Sequence, residues 1–242
     1  MLAKSRRGLG LSELARNLQV PKSSMHCLLL TLERRGYLHR HKHTHRYLFG
    51  LKLFSLANMA LAKIELREQA APLLRTLMES TGLTVHMAIL DQDEVVLVDK
   101  VEPPGIFKLA TWIGKRMDAH CTGVGKALIA HISEEELDAL IKQHGLPRHN
   151  ENTISSGKKL KDALAKVRKV GYAVEDEEDE IGLRCIGSAL FDKTDRVVAA
   201  ISIAGSVSQI TDDNLASLIS KVKRTASDIS LELGVDAAQE TC

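Results

Sequence analysis

The chain has 242 residues, 44% of them hydrophobic but only 3% aromatic, and 33 Lys/Arg against 31 Asp/Glu give a formal net charge of +2. That length supports one large or two ordinary domains, with cores built from Leu, Ile, Val, Ala and Met. Four widely spaced cysteines (Cys27, Cys121, Cys185 and Cys242) argue against a disulfide framework or a close-spaced zinc finger; with no signal peptide and no long apolar run, a soluble cytoplasmic protein that enters no membrane is expected.

The net charge hides a division. Residues 1–64 hold twelve Lys/Arg and only two acids, Glu13 and Glu33, for +10, which leaves −8 on the remainder. A basic head on an acidic body is the footprint of a nucleic-acid-binding module joined to something else.

In chain order, Ser12 is placed to cap a first helix carrying Leu14, Ala15 and Leu18. Pro21 suits the first turn of a second helix, in which Met25, Leu28, Leu29 and Leu32 fall at core spacing. Its other side presents Ser23, Cys27, Leu30 and Arg34, flanked by His26 and Thr31. This is the candidate recognition helix. Lys22, Ser23 and Ser24 at its start suit phosphate contacts through ammonium, hydroxyl and free amide groups. Gly36 ends it. Tyr37-Leu38 and Tyr47-Leu48 then bracket a small β-wing whose Arg40, Lys42 and Arg46 suit flanking phosphate or minor-groove contacts. The order helix, turn, helix, wing is that of a winged helix-turn-helix. The wing histidines His39, His41, His43 and His45 would line one face of an unbroken strand; the turn interrupts them, which favours surface histidines beside phosphates over a metal grip.

Gly50 opens a linker helix with an unusually wide apolar stripe: Leu51, Leu53, Phe54, Leu56, Ala57, Met59, Leu61 and Ile64. Such width suits either a buried helix or one that pairs with its twin in a dimer. A further helix runs through Leu73, Leu74, Leu77 and Met78 to Gly82. The period then changes to two. Strands are expected over Thr84–Ile89, Val95–Val101 and Phe107–Ile113, and later over residues 172–175, 183–191 and 197–204. Helices intervene near Thr122, after the capping box Ser133–Glu136, around Leu160, Leu164 and Val167, and from about Thr211 to Leu233. Hairpins with helices between them predict an α+β fold with an antiparallel sheet.

Gly123-Val-Gly125-Lys126 invites a phosphate-loop reading that fails: His120 stands where the first glycine is needed, and Ala127 where Ser or Thr would hold magnesium. A helix start at Thr122-Gly123 nonetheless offers amides to a carboxylate or a phosphate. Ala200, Ser202 and Ala204 form one small, slightly polar strand face near Cys185, which suits either a pocket or a closely packed helix. Cys121 and Cys185, with His86, His120 and His131 as possible bases, show no arranged triad. His120, Cys121 and Cys185 offer no close-spaced pair to anchor a metal. No catalytic residue, metal or cofactor is assigned.

Together the stretches GLGLSELARNLQVPKSSMHCLLLTLERRGYL, LVDKVEP, GKRMDAHCTGVGKALIA, GYAVEDEEDEIGLRCIGSALFD and AAISIAG, in that order between Ser5 and Gly234, resemble the IclR-type bacterial transcriptional regulators. The resemblance implies a winged helix-turn-helix over residues 1–49, a linker helix over 50–66, and a GAF-like effector-binding and oligomerisation domain over 67–242. It further implies a homodimer or homotetramer on a palindromic double-stranded DNA operator, switched by a small carboxylate or aromatic effector. The implied effector site lies between the loop His120–Val124, with Gly123 and Val124, and the strands carrying Cys185 and Ser202, and Glu175 borders it. Departures from the family pattern are Cys27 where arginine is common, Leu30 for a small residue, His45 for glycine, Glu175 for aspartate and Ala204 for serine; most of the usual first helix is missing before residue 11. The rival readings are a sensor that has lost DNA binding and a cysteine-dependent enzyme.

Overall fold

The computed structural model describes residues 1–5, 7–61, 65–105 and 108–235. The chain divides into two compact units, residues 1–65 and 66–242. Among the described residues no helix is long and apolar enough to cross a membrane.

In the first unit a single 3-10 turn, Leu2–Lys4, precedes α1 (Leu11–Asn17) and α2 (Lys22–Arg34). The cap of α1 is Gly10, whose amide donates to Glu13 Oε2 at 2.7 Å. Ser12 lies inside the helix and does not cap it, because the acid three residues after Gly10 closes the first turn instead. Pro21 occupies the position just before α2. The end of α2 is a Schellman closure: Tyr37 N–H reaches Leu32 O and Gly36 N–H reaches Glu33 O, with Gly36 at φ +77°. Strands β1 (Leu38–Arg40) and β2 (Tyr47–Phe49) form the wing. Leu14, Ala15, Met25, Leu29, Leu38 and Tyr47 make the core.

The predicted core stripe of α2 is only half realised. Met25 and Leu29 are buried, whereas Leu28 and Leu32 are 54% and 40% exposed. The core residues of α1 and the wing meet the Met25–Leu29 edge, and Leu30 is half-buried beside it. Helix α3 (Leu51–Leu61) leaves its apolar stripe open in a single chain: Leu51, Phe54 and Met59 are 85%, 67% and 64% exposed. Ile64 falls outside the described residues.

The second unit is an antiparallel six-stranded sheet, ordered β5-β4-β3-β8-β7-β6. Its strands are β3 (Thr84–Asp91), β4 (Glu94–Val101), β5 (Arg116–Met117), β6 (Ala173–Asp176), β7 (Leu183–Phe191) and β8 (Val197–Ser206). One face is covered by α5 (Gly123–Ile129), α6 (Glu134–His144) and α7 (Gly157–Val170), which share a core with Ala88, Leu97, Ala173 and Ala200. The other face meets α8 (Asp212–Glu232) and α4 (Glu65–Thr81). Helix α8 packs on β7 and β8, and α4 is tied in by Arg67 to Asp99 on β4 at 3.1 Å and by Lys221 of α8 to the Ser80 carbonyl at 2.7 Å. The Ser133–Glu136 capping box forms as expected, with both hydrogen bonds present.

The third strand expected at Phe107–Ile113 does not form over residues 108–113, and Phe107 falls outside the described residues. Lys100 Nζ takes the carbonyls of Leu109 and Thr111, at 3.1 and 2.8 Å. Carbonyls held by a side chain are not offered to a neighbouring strand, and the segment becomes a strap. The edge pairing falls instead to Arg116–Met117.

Candidate functional site

The DNA-facing candidates occupy the first unit. Lys22, Ser23, Ser24, His26, Cys27, Thr31 and Arg34 are all exposed on α2, and Arg40 and Lys42 are exposed on the wing. The Thr31 hydroxyl donates to the Cys27 carbonyl at 2.9 Å. The Arg40 guanidinium lies 5.7 Å from the centre of the Tyr47 ring. Arg46 is different and corrects the sequence expectation. Its Nη2 donates to both Glu13 oxygens, at 3.1 and 2.8 Å, and its Nε donates to the Gly8 carbonyl at 3.0 Å. The guanidinium therefore ties the wing to α1 rather than standing ready for a phosphate. The Gly10 amide and Arg46 together hold the Glu13 carboxyl below its ordinary value.

In the second unit the register of the sheet assembles the effector candidates. Across β6, β7, β8 and β3, Glu175, Cys185, Ala204 and Thr84 are successive partners. The neighbouring row is Ala173, Gly187, Ser202 and His86, extended by Lys100 on β4. Alternation puts both rows on the face that α5 covers. Glu175, Ser202, Thr84 and His86 are buried, and Cys185 retains some surface.

Helix α5 starts against these rows. Thr122 caps it, accepting the Gly125 N–H at 3.2 Å, and helix geometry leaves the amides of Gly123 and Val124 without an intrahelical acceptor. The approach is close. A Cβ on Gly187 would lie 2.3 Å from the Gly123 carbonyl oxygen, and one on Gly123 would lie 3.2 Å from the Cys185 Cβ. The small strand face thus serves the packed helix, and polar side chains gather at its border.

Burial raises the Glu175 carboxyl to about 7, against the opposing pull of the Cys185 thiol and the amides of Glu178 and Asp179, which donate to Oε1 at 2.7 and 3.3 Å. Burial pushes the Cys185 thiol well up, and the Glu175 carboxylate adds to the shift. A suppressed thiolate is a poor nucleophile. Burial, with Lys100 nearby, lowers His86 to about 4, so its imidazole is neutral at pH 7. His86 Nε2 lies 2.9 Å from Thr111 Oγ1 and links the strap to the row. A cavity of about 170 Å³ adjoins the first row, lined by Thr84, Ala204, Gln209 and Pro103–Gly105. A larger one, of about 390 Å³, lies elsewhere, among Ala127, His131, Ser188, Phe191, Ala226 and Ser230.

Sequence reading missed Thr84 and Lys100, and treated His86 only as a base for a thiol. For Thr84 and His86 the signal was the alternation of Thr84, His86 and Ala88, which marks a polar face but not its partner strand; Lys100 joins it only through the pairing of β4 with β3. In the acidic run Glu175–Glu180 several carboxylates have partners of their own. Glu177 Oε2 accepts the Gly182 amide at 2.7 Å. Glu178 pairs with the buried Lys126, whose Nζ also donates to the Val174 carbonyl at 2.7 Å. Lys126, the lysine of the failed phosphate loop, is thus a buried internal cation.

A family model described as the IclR helix-turn-helix domain matches residues 1–42, and one described as the bacterial transcriptional regulator IclR C-terminal domain matches residues 58–231. The chain is 35% identical over 235 residues to the transcriptional repressor IclR of Escherichia coli K12, covering 96% of this chain and 86% of that one. Among solved structures, IclR of Thermotoga maritima superposes with a TM-score of 0.79 at 33% identity, over 96% of this chain and 94% of that one. An IclR homolog of Microbacterium hydrocarbonoxydans, solved as a complex with 4-hydroxybenzoate, shares the fold with a TM-score of 0.82 at 20% identity, over 95% and 93% of the two chains.

Proposed function

This chain belongs to the IclR family of bacterial transcriptional regulators, and from that premise we propose how its two units divide the work of a ligand-responsive, DNA-binding regulator. Residues 1–49 bind the operator, residues 50–66 form the linker, and residues 67–242 bind the effector and oligomerise. On α2, Lys22, Ser23 and Ser24 hold phosphates while His26, Cys27, Thr31 and Arg34 face the major groove. Arg40 and Lys42 flank the duplex and make its affinity salt-dependent. The exposed stripe Leu51, Phe54 and Met59 on α3 supports pairing with a second copy, and two copies suit a palindromic operator. The relative from Escherichia coli is a repressor, and repression is the mode proposed here.

The effector is a small carboxylate or an aromatic acid. Its carboxylate meets the Gly123 and Val124 amides, with Glu175, Cys185 and Ser202 around it. The observation that carries this reading is the register that puts Glu175, Cys185 and Ser202 on one sheet face beside the start of α5. Ligand shifts the regulator only through its differential affinity for the DNA-competent and released states. The test is a mobility shift on DNA upstream of the chain's own gene, with acetate and 4-hydroxybenzoate among the ligands screened. Ser202→Leu removes the ligand response and keeps operator binding. A response unchanged in Ser202→Leu overturns the pocket; a parent protein with no salt-sensitive shift overturns the DNA reading.

A further inference from the structure

Three potential metal ligands that are dispersed in the sequence meet in the second unit. His120 and Cys121 immediately precede the cap of α5, and His149 comes from the polar loop between α6 and α7. One ligand atom from each lies within 4.8 Å of the other two. His120 and Cys121 are buried and His149 is exposed. The imidazole rings stack at 6.3 Å and 21°.

The surroundings are those of an oriented ligand set. His120 Nε2 lies 3.0 Å from the Pro147 carbonyl, and His149 Nε2 lies 2.9 Å from Asp118 Oδ2. Metal-ligating histidines commonly fix their tautomer by giving one ring N–H to such a carbonyl or carboxylate. Each ring then keeps Nδ1 for an ion. The Cys121 thiol faces Asp179 Oδ1 at 3.8 Å. A cavity of about 260 Å³ lined by Asp118, His120, His144 and Asp179 opens beside the cluster and provides an entry path. An isolated His149–Asp118 pair would account for one hydrogen bond, but not for a second oriented imidazole and a buried thiol at the same point.

We propose that His120, Cys121 and His149 bind a divalent transition ion of the zinc class, with a fourth position open to the Asp118–Asp179 cavity. Two imidazoles and a thiolate match the preferences of zinc and cobalt(II). Tetrahedral coordination places ligand atoms about 3.3–3.7 Å apart, so closure requires a contraction of about 1 Å, which the exposed His149 can supply by turning its ring. On binding, the Cys121 S–H bond breaks, its proton leaves to solvent, and a sulfur–metal bond forms without redox change. Two positive charges then enter a region crowded with Asp118, Asp179, Glu175 and Glu178. The site goes beyond the effector reading and does not depend on it.

The test uses the full chain, stripped with a chelator and titrated with Co²⁺. One ion per chain is expected, with the strong absorption of tetrahedral cobalt and a thiolate-to-cobalt charge-transfer band. His149→Ala, at an exposed position, weakens binding at least tenfold while leaving the melting temperature of the stripped protein unchanged. Cys121→Ser removes the charge-transfer band; should that buried change prevent folding, His149→Ala alone decides. The wing is the competing site, so His41→Ala/His43→Ala is the control and leaves the titration unchanged. A weak octahedral spectrum without the sulfur band, binding retained in His149→Ala, or binding lost in the wing variant each overturns the proposal.

Discussion

Glu175 and Cys185 are direct partners across β6 and β7, and the thiol donates to the carboxyl. Burial holds the Glu175 pKa at about 7, above its ordinary 4.5. The folded state therefore binds one proton more than the unfolded state between those values, and stability falls as pH rises from 4.5 to 7. Above 7 the penalty is constant, at roughly 3 kcal/mol. Glu175→Gln cannot titrate. Urea denaturation at pH 5, 6, 7 and 8 is expected to show a parent that loses stability relative to this variant up to pH 7 and then runs parallel to it. Two curves parallel throughout would place the Glu175 proton elsewhere.

Lys126 and Glu178 form a buried pair, and Glu178 Oε2 is buried with no hydrogen-bond partner among the described residues. Removing one member of such a pair strands the other charge. Lys126→Met is expected to cost about 3–5 kcal/mol and to lower the melting temperature by about 10 °C. Lys126→Met/Glu178→Leu recovers most of that loss, because no charge remains buried. A double variant no better than the single one would contradict this account.

Gly187 holds α5 to the sheet through the absence of a side chain. Gly187→Ala drives a methyl into the Gly123 carbonyl, at a cost of about 1–3 kcal/mol for overpacking. The start of α5 moves, so ligand response is expected to fail at temperatures where operator binding persists. Calorimetry and mobility shift together check this, and a variant with unaltered response would show that the contact is slack.

Two of the wing cations, Lys42 and Arg46, are expected to separate cleanly. Lys42→Ala removes a free surface charge. It should reduce the slope of log affinity against log salt by about one and leave the melting temperature alone. Arg46→Ala unlatches the wing from Glu13 and Gly8. It should lower the melting temperature of the first unit and weaken DNA binding indirectly. Equal salt slopes and equal melting temperatures for the two variants would dissolve the distinction.

Most elements were legible because each is written locally. The Ser133–Glu136 box, the Gly36 stop and the two-residue period of β3 and β8 all act within a few residues. What periodicity could not reveal was which neighbour each face would meet. Leu28 and Leu32 have core spacing on α2, yet α1 and the wing cover only the Met25–Leu29 edge. The strap at 108–113 reads as a strand until Lys100 is seen to take its carbonyls. Arg46 reads as a DNA contact until Glu13, far away in sequence, is found beside it. In the effector region, strand alternation marked the small polar face of Ser202 near Cys185, resemblance gave the two residues an effector role, and the register adds Thr84, His86 and Lys100 beside them. His149 had no local signal at all, because a loop brought it to His120.

The pairing of β3 with β8 joins residues 84–88 to residues 200–204. The strands on either side of that seam are sequential hairpins, β3 with β4 and β7 with β8, which close over short loops. The seam itself cannot form until residue 204 has left the ribosome, and closing so long a loop is slow. During synthesis β3 waits with an open hydrogen-bonding edge, a template for pairing with other nascent chains. A message truncated before β8 would therefore yield aggregate rather than a smaller soluble domain.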